Sequence, residues 1–392
     1  MVSRPHPLPR PARFALFYGA FYLGFGAFLP YMPVWFEARD LSPELIGLAA
    51  GAGMAGRVIA APLGAALADR AAKRRHALLA FSIAAFLIFA AHIPATHPGV
   101  IVALAALAGG AYTGIVPIID AFAMGESRRR RFAFGPPRAL GSAAFIVGNL
   151  GCGALIGAFG GEAALYWTLT GAGLAVLAAT QLPEGRRAPA HRALGRPAGL
   201  ADLATALSRA GLPLAFAASA LVQGAHGFYY AFSAVAWKAQ GVAAEAVGAL
   251  WATGVAAEIV FFTIAAKAAA RINPAWLLAL GAAASIVRWG ALSLAPPLGV
   301  LFALQSLHAL SFGATYLGFL RYAADHAPEQ YAATAQAVNS ALSGGLVLAG
   351  ATYASGFAYA ALGAGGFAIM AVPAGLGLAC ALTLATAGRN AS

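Results

Sequence analysis

Glu258, Arg288 and His308 stand inside three successive apolar stretches of the chain. A carboxylate, a guanidinium and an imidazole can hold a proton, bind an anion or pair with one another. In the centre of a bilayer each charge costs roughly 2.5–3.5 kcal/mol on insertion scales. Ionisable groups at that depth typically line a path for ions or solutes, so the trio reads as a proton and substrate pathway. The first half offers a second set, Arg57, Asp120 and Arg138. Arg138, Ser142, Phe145, Asn149 and Cys152 follow at helical spacing and share one face. A face bearing Arg, Ser and Asn should not point at lipid. It reads as cavity lining, with interhelical hydrogen bonding as the alternative for Ser142 and Asn149. His226 and the aromatics Tyr22, Phe25, Tyr230 and Trp251 are further candidates for the cavity wall, or else core groups. Trp35 and Trp237, at stretch ends, read as interfacial anchors.

The elements that carry these residues are apolar runs long enough to cross about 30 Å of hydrocarbon. Twelve recur, at 12–36, 43–68, 76–93, 98–124, 137–160, 163–182, 211–238, 243–270, 274–295, 297–324, 330–358 and 361–387. The runs are continuous, without the alternation of a transmembrane barrel, so an all-α polytopic membrane protein of twelve transmembrane helices is expected. The long polar break from Pro183 to Ala210 divides the chain into two six-helix bundles, 1–183 and 211–392, joined by a basic linker at 184–210. Two such halves suggest a 6+6 carrier with its site between them. Gly47/Gly51, Gly110/Gly114 and Gly153/Gly157 have the spacing that lets helices approach closely.

The net charge of +12 is a matter of orientation. Of 25 Lys and Arg, 20 fall at the termini or in alternate loops; Arg39 and Lys238 lie on the other side, and Arg57, Arg138 and Arg288 lie within the spans. That bias places the basic loops and both termini in the cytoplasm. It gives no reason to expect a nucleic-acid partner. Lys73, Lys238 and Lys267 are the only lysines and none follows a glycine, so a P-loop is excluded. No Cys/His ligand spacing occurs and only Cys152 and Cys380 are present, so neither metal, cofactor nor disulfide framework is expected.

After the second span the chain reads Ala65-Ala-Leu-Ala-Asp69-Arg70-Ala-Ala-Lys73-Arg74-Arg75. This resembles the major facilitator superfamily signature, with Ala65 and Ala72 where glycines are usual. The resemblance implies a cytoplasmic gate formed by Asp69, Arg70 and Arg74; the alternative is a basic turn that only fixes topology. Pro117-Ile-Ile-Asp120 and Phe134-Gly135-Pro-Pro-Arg138-Ala-Leu-Gly141-Ser142 are similar to the charged pair of the lactose permease branch. Glu258, Arg288 and His308 match that branch's sugar and proton site in order, but Ser311 stands where its proton-carrying acid is expected. The proton role then falls to Glu258, alone or with His308. Gly224-Ala-His226-Gly-Phe-Tyr229-Tyr230, Leu250-Trp251, Arg288-Trp289, Leu304-Gln305-Ser-Leu-His308 and Arg57-Val-Ile-Ala-Ala-Pro62 resemble the phenylpropionate permease branch more closely.

Within the spans three arginines face two clear acids, Asp120 and Glu258, and an anionic substrate would balance that excess. The expected function is proton-coupled symport of a small organic anion, an aromatic or short monocarboxylate, by alternating access. Symport of a neutral sugar or nucleoside is the alternative, and a non-transporting receptor or scaffold a minor one. The expected partners are the solute, protons and the lipid bilayer, with a monomer as the working unit and no enzymatic activity.

Overall fold

A computed structural model describes residues 8–70, 73–185, 207–208, 211–269 and 271–389. The side chains of 61–62, 64–70, 266, 330, 332–333 and 388–389 lie outside that description. The first six spans are unbroken helices: Arg10–Ala38, Pro43–Arg70, Arg74–Ala91, Pro98–Arg130, Gly135–Phe159 and Ala163–Gln181. Proline opens several of them, where its missing N–H costs nothing. His97 caps the fourth by accepting from the Gly99 amide at 3.1 Å. Gly160, at φ 80°, ends the fifth in a conformation that a side chain would strain.

The second half follows the same order but is interrupted where the apolar runs give no sign of it. Span 7 is two helices, Leu212–Gly224 and Gly227–Ala239, with Ala225 and His226 at the break. Span 8 runs as Ala244–Val260, a π-helical turn Phe261–Ala265 and Ala266–Ala269. Span 9, Pro274–Leu292, is regular. Span 10 is Leu298–Ser306, a π segment Ala309–Ala314 and Thr315–His326; span 11 is Ala332–Ala341, a π segment Leu342–Val347 and Leu348–Leu362. Span 12 opens with a 3-10 stretch, Gly363–Met370, before Ala371–Arg389. A π turn admits one extra residue without changing which residues are apolar, which is why hydropathy alone predicts a plain helix there. Two of these turns lie within one turn of Glu258 and His308, and the break in span 7 holds His226.

The twelve spans form an all-α 6+6 bundle whose halves meet through spans 1 and 7, 2 and 11, and 5 and 8. Glycines make these meetings close. A Cβ on Gly47 would stand 2.8 Å from the Gly356 Cα, and one on Gly51 2.9 Å from the Ala349 carbonyl. One on Gly153 would stand 2.6 Å from the Ala244 carbonyl. Tyr31 donates to the Asn149 carbonyl in the same seam, at 3.2 Å, and Lys238 pairs with Glu37 across the halves at 2.7 Å. All of these contacts lie toward the face bearing Arg39 and Lys238, which is therefore sealed. Large apolar side chains such as Ile59, Leu107, Val147, Leu177 and Leu346 point outward, as a lipid-facing surface requires.

One expectation needs correction. Trp35 and Trp237 are buried inside the bundle and are not interfacial anchors. For Trp35 the reason is polar: its indole N–H donates to Glu162 at 3.0 Å, and that carboxylate is also held by Arg39 at 2.6 Å. The division of the chain at 184–210 falls on a segment of which 186–206 and 209–210 lie outside the described residues.

Candidate functional site

Span 1 places Tyr18 and Tyr22 one turn apart, and Arg138 from the first turn of span 5 lies over both rings. The guanidinium carbon is 4.6 Å from the Tyr22 centroid and 5.7 Å from that of Tyr18. Arg138 approaches Asp120 of span 4 at 3.7 Å, beyond hydrogen-bonding distance, while Tyr18 donates to the Asp120 carboxylate at 2.6 Å. Sequence reasoning missed Tyr18, although its four-residue spacing from Tyr22 on one helix face was there to be read. The Arg138 and Asp120 side chains are 33% and 34% exposed although both belong to apolar spans, so solvent reaches the pair. Ser142 lies one turn further along span 5, half-buried. Arg57 of span 2 lies beside Gly344 of span 11, within electrostatic reach of Tyr22 and Tyr230.

A cavity of about 130 Å³ opens between the halves, lined by Leu29, Phe145, Tyr229, Tyr230, Trp251, Val255, Glu258, His308 and Phe312. Trp251 stacks on Tyr229 at 4.3 Å and fixes its indole by donating to Ser233 at 3.1 Å. Glu258, 27% exposed, reaches His308 Nε2 at 3.6 Å. Arg288 belongs to a layer behind the cavity wall. It is fully buried, covered by the rings of Tyr229 and Trp289 at 4.6 Å each. It donates to Gln305 Oε1 at 2.7 Å, to Ser311 Oγ at 3.3 Å and to His308 Nδ1 at 3.1 Å. No carboxylate is paired with Arg288 among the described residues. Its charge is instead spread over neutral acceptors and two aromatic faces.

Two candidates from the first half and the break of span 7 sit differently from what spacing implies. Asn149 is buried in the seam of spans 1, 5 and 8; its amide donates to the Phe145 carbonyl of its own helix at 2.8 Å. It does not line the cavity, because span 5 turns that part of its polar face toward Gly26 and Gly248 rather than toward open space. His226 is also fully buried, with its ring 5.4 Å from that of His308 and Nε2 3.3 Å from Ser311 Oγ. Ser311 and Gln305, the polar partners of Arg288, were not among the expected site residues.

At the basic face the side chains of Asp69 and Arg70 lie outside the described residues. Arg74 extends toward Gly125 of span 4. Lys73 binds Glu184 at 2.6 Å, and the Arg74 and Arg75 amides donate to the Gly185 and Glu184 carbonyls. The Lys73 hydrogen bond holds the Glu184 carboxyl below its ordinary range.

In comparison with known proteins, residues 12–368 match the family described as MFS_1 like. The chain is 31% identical to the probable 3-phenylpropionic acid transporter of Escherichia coli (strain K12) over 360 residues, 92% of this chain and 94% of that one. It is 27% identical to the maltose permease of Geobacillus stearothermophilus over 340 residues, 86% and 84% of the two chains. Its fold is that of a mutant form of the nucleoside transporter NupG (TM-score 0.83, 15% identity, 96% of this chain and 99% of that one). A D-xylose-proton symporter has the same fold (TM-score 0.67, 14% identity, 95% and 96%). These relatives are transporters, and the receptor or scaffold alternative is set aside. Helices that span a bilayer, a solvent-reached cavity between two bundles and this match over most of the length have one conclusion in common: the chain belongs to the MFS_1 like family and is a multi-pass membrane transporter of small molecules.

Proposed function

We propose that the protein is a proton-coupled symporter of a small aromatic or short-chain carboxylate, phenylpropionate-like in shape. Arg138 is the observation that carries this reading. Its guanidinium is partly exposed, rests on Tyr22 and has Asp120 as its polar neighbour at 3.7 Å among the described residues. Its N–H groups are therefore open to the two parallel hydrogen bonds that a carboxylate accepts from arginine. Tyr22, Phe145, Tyr230 and Trp251 offer the apolar surface that an aromatic ring or short alkyl chain needs. Glu258, the carboxylate on the cavity wall, is the proton site in this reading, with His308 and Arg288 behind it. The substrate named for the Escherichia coli relative supports the choice.

A neutral sugar or nucleoside is the second reading. Asp120 favours it, because an acid beside Arg138 presents acceptors and donors together to a polyol. Thermal stability of the purified protein separates the two, since a ligand stabilises the state it binds. Phenylpropionate and related acids should raise the melting temperature while sugars and nucleosides leave it unchanged; the reverse pattern replaces the carboxylate by the neutral solute.

In the same proposal the basic loops and both termini face the cytoplasm of a bacterial inner membrane, so the sealed face is the outer one. The bundles 1–183 and 211–392 then rock about the site, with 184–210 joining them. Asp69, Arg70 and Arg74 belong to the gate that closes the inner side, and a monomer is the working unit.

A further inference from the structure

We propose, resting on the reading of Glu258 as the proton site, that Ser311 and His226 are positioning residues. They hold Arg288 so that His308 stays neutral with its Nε2–H turned toward Glu258, and Glu258 alone in this network exchanges the proton.

The direction of every hydrogen bond follows from what each atom can do. A guanidinium donates and never accepts. His308 Nδ1, 3.1 Å from Arg288, must therefore be an acceptor, which leaves the ring proton on Nε2, facing the Glu258 carboxylate at 3.6 Å. A second proton on His308 would set N–H against N–H at that 3.1 Å contact. His226 is fixed in the opposite tautomer. Its Nδ1 lies 3.2 Å and 3.1 Å from the Val222 and Gln223 carbonyls, which only accept, so Nδ1 carries the proton. Its bare Nε2 takes the Ser311 hydroxyl at 3.3 Å, which turns a lone pair of Ser311 toward Arg288.

Arg288 is thus held by Ser311 and Gln305 through hydrogen bonds and by the rings of Tyr229 and Trp289, and it donates to His308 as well. An acid at position 311 would pair with Arg288 and free His308 to protonate; the serine leaves Arg288 its grip. The charged and titratable groups around this network are Arg57 of span 2, Arg138 of span 5, Tyr229 and Tyr230 of span 7, Glu258 of span 8 and Arg288 of span 9. Among them Glu258 is the carboxylate that both touches His308 and lines the cavity. When it takes a proton, the Arg288 contacts with Ser311, Gln305 and His308 do not involve it, so the network survives both states.

Nitrogen-15 NMR of histidine-labelled protein reads the tautomers directly, with His308→Gln and His226→Gln difference spectra giving the assignment. His308 should carry its proton on Nε2 and His226 on Nδ1, both neutral from about pH 5 to 8, the window in which a free histidine titrates. Ser311→Ala should let His308 titrate in that window and shift the pH profile of uptake, whereas Ser311→Thr, which keeps the hydroxyl, should restore both. Should Ser311→Ala fail to fold, His308→Gln decides: its amide donates but cannot bind a proton, so whatever happens to the rate, the number of protons moved per substrate should stay at the wild-type value. A wild-type His308 protonated on Nδ1 or on both nitrogens overturns the proposal, as does a lower proton-to-substrate ratio in His308→Gln. Unchanged titration and pH profile in Ser311→Ala also overturn it. Wild-type accumulation by Glu258→Gln removes instead the reading of Glu258 as the proton site, and leaves the tautomers as measured.

Discussion

His308 separates Glu258 from Arg288: its Nε2 is 3.6 Å from the carboxylate and its Nδ1 is 3.1 Å from the guanidinium. With Glu258 as the proposed proton site, a change of its charge at the cavity wall would leave the contacts that keep Arg288 buried in place. A direct ion pair would have tied the two events together, since removing one partner of a buried pair strands the other.

Glu258→Gln tests this most sharply. The amide mimics a permanently protonated acid, so accumulation driven by a pH gradient should disappear while exchange of internal for external substrate continues. Transport in proteoliposomes, with and without an imposed gradient, measures both. Gradient-driven accumulation at the wild-type level would move the proton to Asp120.

Arg138→Ala should weaken substrate binding roughly ten- to hundredfold, the worth of a charge-assisted hydrogen bond or two, and bring uptake to background. Insertion and expression should stay near normal, because the side chain is partly solvated and stands 3.7 Å from Asp120, beyond hydrogen-bonding distance. Direct binding measurements check it, and unchanged affinity would place the substrate elsewhere.

Asp69→Asn should slow turnover more than it changes affinity, as expected of a gate residue. Labelling of a cysteine introduced in the inner cavity should rise. Unchanged labelling with normal turnover would leave the motif only a topological role.

The loop after span 2 should depend on pH through Glu184. Its carboxyl is held low by Lys73, so the tether is complete above the ordinary glutamate value of about 4.3 and is lost as pH falls through the lowered one. Amide exchange at Lys73–Arg75 should quicken on that descent, and in Glu184→Gln it should be fast throughout. Both groups are substantially exposed, so global stability should hardly move.

The placement of twelve spans was legible because a bilayer demands long apolar runs and the sequence supplies them. The interruptions at His226, after Glu258 and after His308 were not, since π turns and breaks reuse the same apolar residues. Depth of a charge can be read from a span, but its azimuth cannot. Hence Glu258, Arg288 and His308 were grouped correctly as neighbours, while their order, with the histidine in the middle, needed coordinates. Asn149 shows the limit of periodicity: the helix face is real, yet only the packing against Gly26 and Gly248 reveals what covers it. Tyr18 was missed because an uncharged polar residue in an apolar run looks the same whether it faces a cavity, a neighbour or its own backbone; Gln305 and Ser311 stood out only through the resemblance, and their hold on Arg288 needed coordinates.

The seam where Gly47 meets Gly356 and Gly153 meets Ala244 has a thermodynamic consequence. Backbone lies against backbone at these points, so any side chain larger than hydrogen there would hold the two bundles apart on this face. The closed arrangement of the face is therefore open to bias by single residues: each overlap raises its free energy and leaves an arrangement with the bundles parted untouched.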